Sequence, residues 1–176
     1  MVPAPLTEAA WSPFGWLPVA DVDPRDGKET LTFEWADAHV NLIGHARAEV
    51  PETPTGLRCE MLFRHDTHTQ ALMPLNVPAV IVVAPADVEF ADQDQDQDPA
   101  QAEADLASIR AFRIEPQQAL VLHRGTWHWG PFPLEGPDVR LFNVQGLRHA
   151  EDNRCVDLAS KDLSIEVEVE VEPDVP

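Results

Sequence analysis

The segment ALVLHRGTWHWGPFPL, residues Ala119 to Leu134, decides how the rest of the chain is read. Ala119 to Leu122 is a short apolar run suited to a buried strand, and Gly125 marks the turn it enters. His123 and His128 flank that turn with Arg124 between them, while Trp127, Trp129 and Phe132 add large apolar side chains. Imidazoles at a strand end, among aromatics and a guanidinium, describe either a lined pocket or a core turn with hydrogen-bonded histidines. A second segment, RHDTHTQALMPL from Arg64 to Leu75, tips the reading towards the pocket. It sets Arg64, His65, His68 and Gln70 ahead of the apolar run Ala71 to Leu75. In metal-binding β-barrels the ligands sit where strands reach the mouth, because the sheet fixes their geometry. His65, His68, the Gln70 amide oxygen and a histidine from His123 or His128 make such a donor set, with room for a water.

Composition narrows the rest. With 176 residues the chain is long enough for one domain with a real core, residues 1–176 forming a single unit. Seventeen Pro and no Tyr point to short strands and tight loops rather than long helices. The net charge of -19, from 31 acidic and 12 basic side chains, repels phosphate backbones and anionic headgroups. Nucleic acid and membranes are therefore excluded as partners, and an anionic substrate needs local cations or a metal. No cationic and apolar leader opens the chain, and no apolar run approaches the ~20 residues that span a bilayer. The expectation is a cytoplasmic protein whose Cys59 and Cys155 are reduced thiols.

Along the chain, Thr7 reads as the N-cap of a short helix that Pro13 stops. Strands are expected at Thr30 to Trp35, within His39 to Ala48, and over Leu57 to Phe63, Gln70 to Leu75 and Ala79 to Ala84. The connection Asn76 to Pro78 is of hairpin length. DQDQDQD, Asp92 to Asp98, reads as a solvated acidic loop, followed by a helical piece at Pro99 to Ala107. Further strands are expected at Ile109 to Ile114, Ala119 to Leu122 and Val139 to Val144. Near the end, over 165–172, Ile165, Val167, Val169 and Val171 alternate with glutamates, a pattern for a strand or tail that covers an open sheet. Many short strands and no βαβ rhythm argue for a closed or sandwiched antiparallel fold.

The pairing of RHxxxTQAxxPL with VxHRGTWHxxPxPL resembles the ureidoglycolate lyase family of the cupin superfamily. The likeness extends over LTEAAWSPFG (Leu6 to Gly15), VPAVIVVA (Val77 to Ala84) and DLASIRAF (Asp105 to Phe112), ending near Asn153 to Cys155. The resemblance implies an all-β, single-domain cupin-type double-stranded β-barrel with a few short helices, a homodimer that splits ureidoglycolate into glyoxylate and urea. It also implies a divalent metal such as nickel, manganese or zinc. GTWH, Gly125 to His128, matches the second general cupin motif and points His128 towards the interior. The chain departs from the pattern too: Trp129 replaces a second histidine, Leu122 a tyrosine, and Gln145–Gly146 an Asp-Arg pair. An arginine of the early strand falls near Thr32 and Phe33, and His68 stands where the family has glycine.

Splitting a carbinolamine C–N bond needs a base for the hydroxyl proton, an acid for the leaving nitrogen and a cation for the carboxylate. The expected catalytic residues are His123 and His128, with His65 also able to take a proton role. Arg64 or Arg124 would grip the carboxylate of a small anionic metabolite, with Trp127 beside it. A metal on His65, His68, Gln70 and His128 would polarise the hydroxyl or carboxylate. Each residue also has a structural reading. Arg64 and Arg124 suit surface ion pairs, His65 a turn cap, Gln70 an interior hydrogen bond, and Trp127 and Trp129 a core. His39, His45 and His149 read as structural or solvent-facing. The second functional expectation is a non-catalytic cupin that binds a metabolite or metal as a sensor or accessory protein.

Overall fold

The structure, a computed structural model, describes residues 1–18, 41–49, 57–90, 99–146, 149–159 and 165–167. In chain order its elements are β1 (Ala4–Pro5), α1 (Glu8–Trp11), β2 (Gly15–Trp16), β3 (Asn41–Glu49), β4 (Leu57–Cys59) and β5 (Met61–Arg64). They continue with β6 (Gln70–Pro74), β7 (Ala79–Ala84), α2 (Pro99–Ala107), β8 (Arg110–Ile114) and β9 (Leu120–Leu122). The last are β10 (Trp127–Pro133), β11 (Asp138–Gly146), β12 (Arg154–Asp157) and β13 (Ile165–Val167). The expected strand at Thr30 to Trp35, His39 and the acidic run Asp92 to Asp98 lie outside the described residues.

The fold is all-β, as expected. One sheet has the order β1-β8-β7-β10-β5-β12, the other β2-β9-β6-β11-β3, and β13 pairs with β4 in a separate ribbon. Apart from the two-residue parallel pair β1·β8 the ladders are antiparallel. The two large sheets face one another, yet among the described residues no ladder joins them, so the barrel anticipated from the family likeness stays open.

β7 shows why. Its sequence AVIVVA is apolar throughout, and every residue is buried, because both faces of the strand are covered. Ile81 and Val83 pack with Leu72, Leu120 and Leu122 of the opposite sheet and with Trp11, Phe14, Phe112 and Ile114. That cluster fills the space between the sheets. Val80, Val82 and Ala84 point the other way, into a second cluster with Leu62, Trp127, Phe132, Val156 and Val167 on the outer face.

Local expectations are met with instructive exceptions. Thr7 caps α1, its hydroxyl accepting from the Ala10 amide at 3.3 Å. The expected strand Leu57 to Phe63 breaks at Glu60, whose carbonyl accepts from the Leu158 and Ala159 amides, so that β4 and β5 enter different sheets. The hairpin-length piece Asn76 to Pro78 joins β6 and β7, which belong to opposite sheets, and makes no hairpin. The tail pairs Ile165 with Cys59 and Val167 with Leu57, and Val167 is buried; the rest of the alternating run lies outside the described residues. Both cysteines are free, and burial pushes the Cys59 thiol up to about 12.

Candidate active site

Between β5 and β6 the chain crosses from one sheet to the other through residues 65–69, and Asp152 pins that crossing. Its carboxylate accepts from the Asp66 amide at 3.2 Å, the Thr67 amide at 2.9 Å and the Thr67 hydroxyl at 2.5 Å. Its backbone carbonyl lies 2.9 Å from His65 Nδ1, and Oδ2 lies 3.2 Å from His68 Nδ1. The Gly125 amide donates to the His65 carbonyl at 2.7 Å, which fastens the same crossing to the turn before β10. Gly125 itself holds φ at 77°, a left-handed conformation that favours glycine.

This scaffold gathers three imidazoles. The His65 and His68 rings stack at 4.5 Å, and the His128 ring lies 5.5 Å from His65. His128 faces the space between the sheets because it sits opposite Val83 on one side and Phe63 on the other. All three are buried. Burial holds His68 and His128 at about 4, with the His65 ring adding a further downward push on both. His65 is lowered too, chiefly by burial, against the pull of the Asp152 carbonyl. Each ring is therefore neutral near pH 7. Each Nδ1 faces an oxygen: the Asp152 carbonyl for His65, the Asp152 carboxylate for His68, and the Thr126 carbonyl at 3.1 Å for His128. A neutral ring that donates from Nδ1 keeps its lone pair on Nε2, the state of a base or a metal ligand. Burial raises the Asp152 carboxyl, but its hydrogen bonds from Thr67 and Asp66 outweigh this and hold it below the usual range.

A cleft of about 350 Å³ opens beside the rings, lined by His65, His128, His149, Asn153 and the apolar Phe63, Trp129, Phe132 and Leu141, with Gly130. Neither arginine nor lysine lines it among the described residues. An anionic ligand there meets the neutral imidazoles of His65 and His128 and an amide, and no arginine or lysine among the described residues.

The sequence-predicted residues divide accordingly. His65, His68 and His128 come together; His123 does not, being exposed and packed on Trp16 at 5.1 Å. Trp127 is buried on the face of β10 opposite His128, its indole N–H donating to the Val88 carbonyl at 2.8 Å. Arg64 follows it outward: the guanidinium lies 4.9 Å from the Trp127 ring and pairs with Asp66 at 2.9 Å and Glu89 at 3.1 Å. Arg124 is exposed at the turn and does not line the cleft. Alternation along β5 and β10 thus turns Arg64 and Trp127 away from the cleft, and Arg124 stays on the turn between β9 and β10. Gln70 lies inside, with its Nε2 donating to Asn143 at 2.9 Å and Gln145 at 3.2 Å. His149, read from sequence as structural or solvent-facing, lines the cleft with Asn153, where the family likeness ends, and Asp152 had no sequence signal beyond a polar stretch.

A family model described as ureidoglycolate lyase matches residues 18–168. The chain belongs to the ureidoglycolate lyase family. Proteins named ureidoglycolate lyase from Pseudomonas entomophila and Pseudomonas fluorescens are each similar to it at 31% identity over 151 residues, spanning 76% of this chain and 77% of theirs. One from Pseudomonas paraeruginosa is 31% identical over 146 residues, spanning 76% of each chain. The divalent metal implied by the family likeness has a matching donor set. Ligand atoms of His65, His68 and Asp152 lie within 4.8 Å of one another. Two neutral imidazoles and a carboxylate suit zinc, nickel or manganese. Relative to the expected set, Asp152 joins His65 and His68, while His128 stands outside that group.

Proposed function

We propose that this chain is a carbon–nitrogen lyase that cleaves ureidoglycolate to glyoxylate and urea in the cleft beside His65 and His128. The observation that carries the reading is the group of three buried, neutral imidazoles, of which His65 and His128 line a small cleft, in a chain of this family. In the reaction the hydroxyl O–H bond breaks, its electrons form the aldehyde C=O, and the C–N bond breaks with its pair going to the urea nitrogen, which gains a proton. His128, with its Nδ1 held by the Thr126 carbonyl, takes the hydroxyl proton at Nε2 and returns it to the leaving nitrogen. The substrate's own negative charge beside the ring offsets the burial cost of the imidazolium formed on the way. His149 and Asn153 are placed to hydrogen-bond the ureido group or carboxylate. A divalent cation on His65, His68 and Asp152 supplies, when bound, the positive charge for the carboxylate that the described cleft residues lack.

The reading extends to a cytoplasmic homodimer, checked by light scattering of the purified chain. The test of function is glyoxylate release from ureidoglycolate by protein supplied with nickel, manganese or zinc. Turnover is expected with at least one of them. No glyoxylate with any of the three sinks the lyase reading, and metal uptake without turnover favours the non-catalytic cupin.

A further inference from the structure

A contact at the end of β11 sets what the donor group can be. A Cβ built on Gly146 would stand 2.7 Å from both Cγ and Nδ1 of His68, closer than real Cβ atoms come, and a tight 3.1 Å from Cε1. The φ of Gly146 is not among the positive ones, so the demand for glycine here is one of space alone. Nor is the imidazole free to yield. It is 3% exposed, stacked on His65 at 4.5 Å, and its Nδ1 faces the Asp152 carboxylate at 3.2 Å. A side chain at 146 and a seated His68 therefore exclude one another.

We infer that Gly146 is the seat of His68, and that this seat is what lets the chain present His65, His68 and Asp152 together to a divalent cation. Gly146 is a positioning residue: it touches no ion or substrate and acts through the ring it admits. A ring on the crossing segment fills space that would otherwise belong to a side chain on β11. The inference rests on the metal half of the functional reading, so its test reads metal and stability, not turnover.

The full chain is purified metal-free as wild type, Gly146→Ala, His68→Ala and the double variant. Each is titrated with Co²⁺, followed by its visible ligand-field bands, and with Zn²⁺ by calorimetry, and each is melted. Expected are one ion per wild-type chain and at least tenfold weaker binding by Gly146→Ala, which keeps every ligand. Gly146→Ala should lower the melting temperature in the wild-type background and have little effect when His68 is already Ala, the non-additivity of two groups in direct contact. Should Gly146→Ala alone fail to fold, recovery of folding in the double variant carries the same meaning. The inference is overturned by wild-type affinity in Gly146→Ala, or by an equal loss of stability in both backgrounds. A wild-type chain that takes up neither ion also overturns it, and glyoxylate release then still decides the lyase reading separately.

Discussion

At the scale of single residues, the site turns on which nitrogen of each imidazole is spoken for. Oxygen acceptors at Nδ1 of His65 and His128 orient those two rings with Nε2 as base or ligand, while Nδ1 of His68 faces the Asp152 carboxylate that shares its donor group. His128→Gln preserves the bulk and removes the base. It should lower kcat by roughly 10²- to 10⁴-fold, with a smaller change in KM. Steady-state glyoxylate release on a variant with an unchanged melt makes the check, and full turnover would remove His128 from the mechanism. Asp152→Asn removes the charge that faces His68 and lets an amide N–H meet backbone N–H donors. A destabilisation of about 1–3 kcal/mol in urea is expected, together with zinc affinity weakened by roughly 10- to 100-fold. Zinc affinity that stays unchanged would place Asp152 in the turn and nowhere else.

At the scale of elements, β10 shows how one strand serves two compartments. His128 faces the space between the sheets and Trp127 the outer cluster, one residue apart. Trp127→Ala should therefore cost about 3–5 kcal/mol of stability, as large core truncations do, and leave KM nearly as it was. A large rise in KM with an unchanged urea midpoint would return Trp127 to the substrate. The same strand explains how much was legible in sequence. The apolar runs at β6, β7 and β9 declare themselves because composition alone marks a buried strand, and His65, His68 and His128 stand beside them. β10 hides its strand in Gly, Pro and tryptophans, so the side on which Arg64 and Trp127 fall depends on a register that composition does not carry. Asp152 lies 85 positions from Thr67 in an acidic, turn-like stretch, and only the fold brings the two together. Gly146 reads as a lost side chain until the His68 ring is seen against it.

On the scale of the whole molecule, the balance of buried neutral histidines against an acidic surface sets the response to pH. His68 and His128 sit near 4 in the fold against 6.5 for an ordinary imidazole. Between those values the unfolded chain binds protons that the folded chain refuses, so stability is greatest above about pH 6.5 and falls as pH drops towards 4. Each unit of difference is worth about 1.4 kcal/mol, so two groups displaced together imply a loss on the order of several kcal/mol at the acid end. The net charge of -19 works in the opposite sense, because protonating surface carboxylates relieves repulsion. The two effects separate by variant and by salt. Added sodium chloride screens the surface term and should stabilise the chain at pH 7, while leaving the slope owed to the buried rings. His128→Gln should flatten the decline between pH 6.5 and 4 without altering the salt response. Urea midpoints of chelator-treated protein across that range make the measurement. Stability that stays level or rises on acidification, with wild type and His128→Gln running parallel, would mean that these rings take up protons inside the fold as readily as outside it.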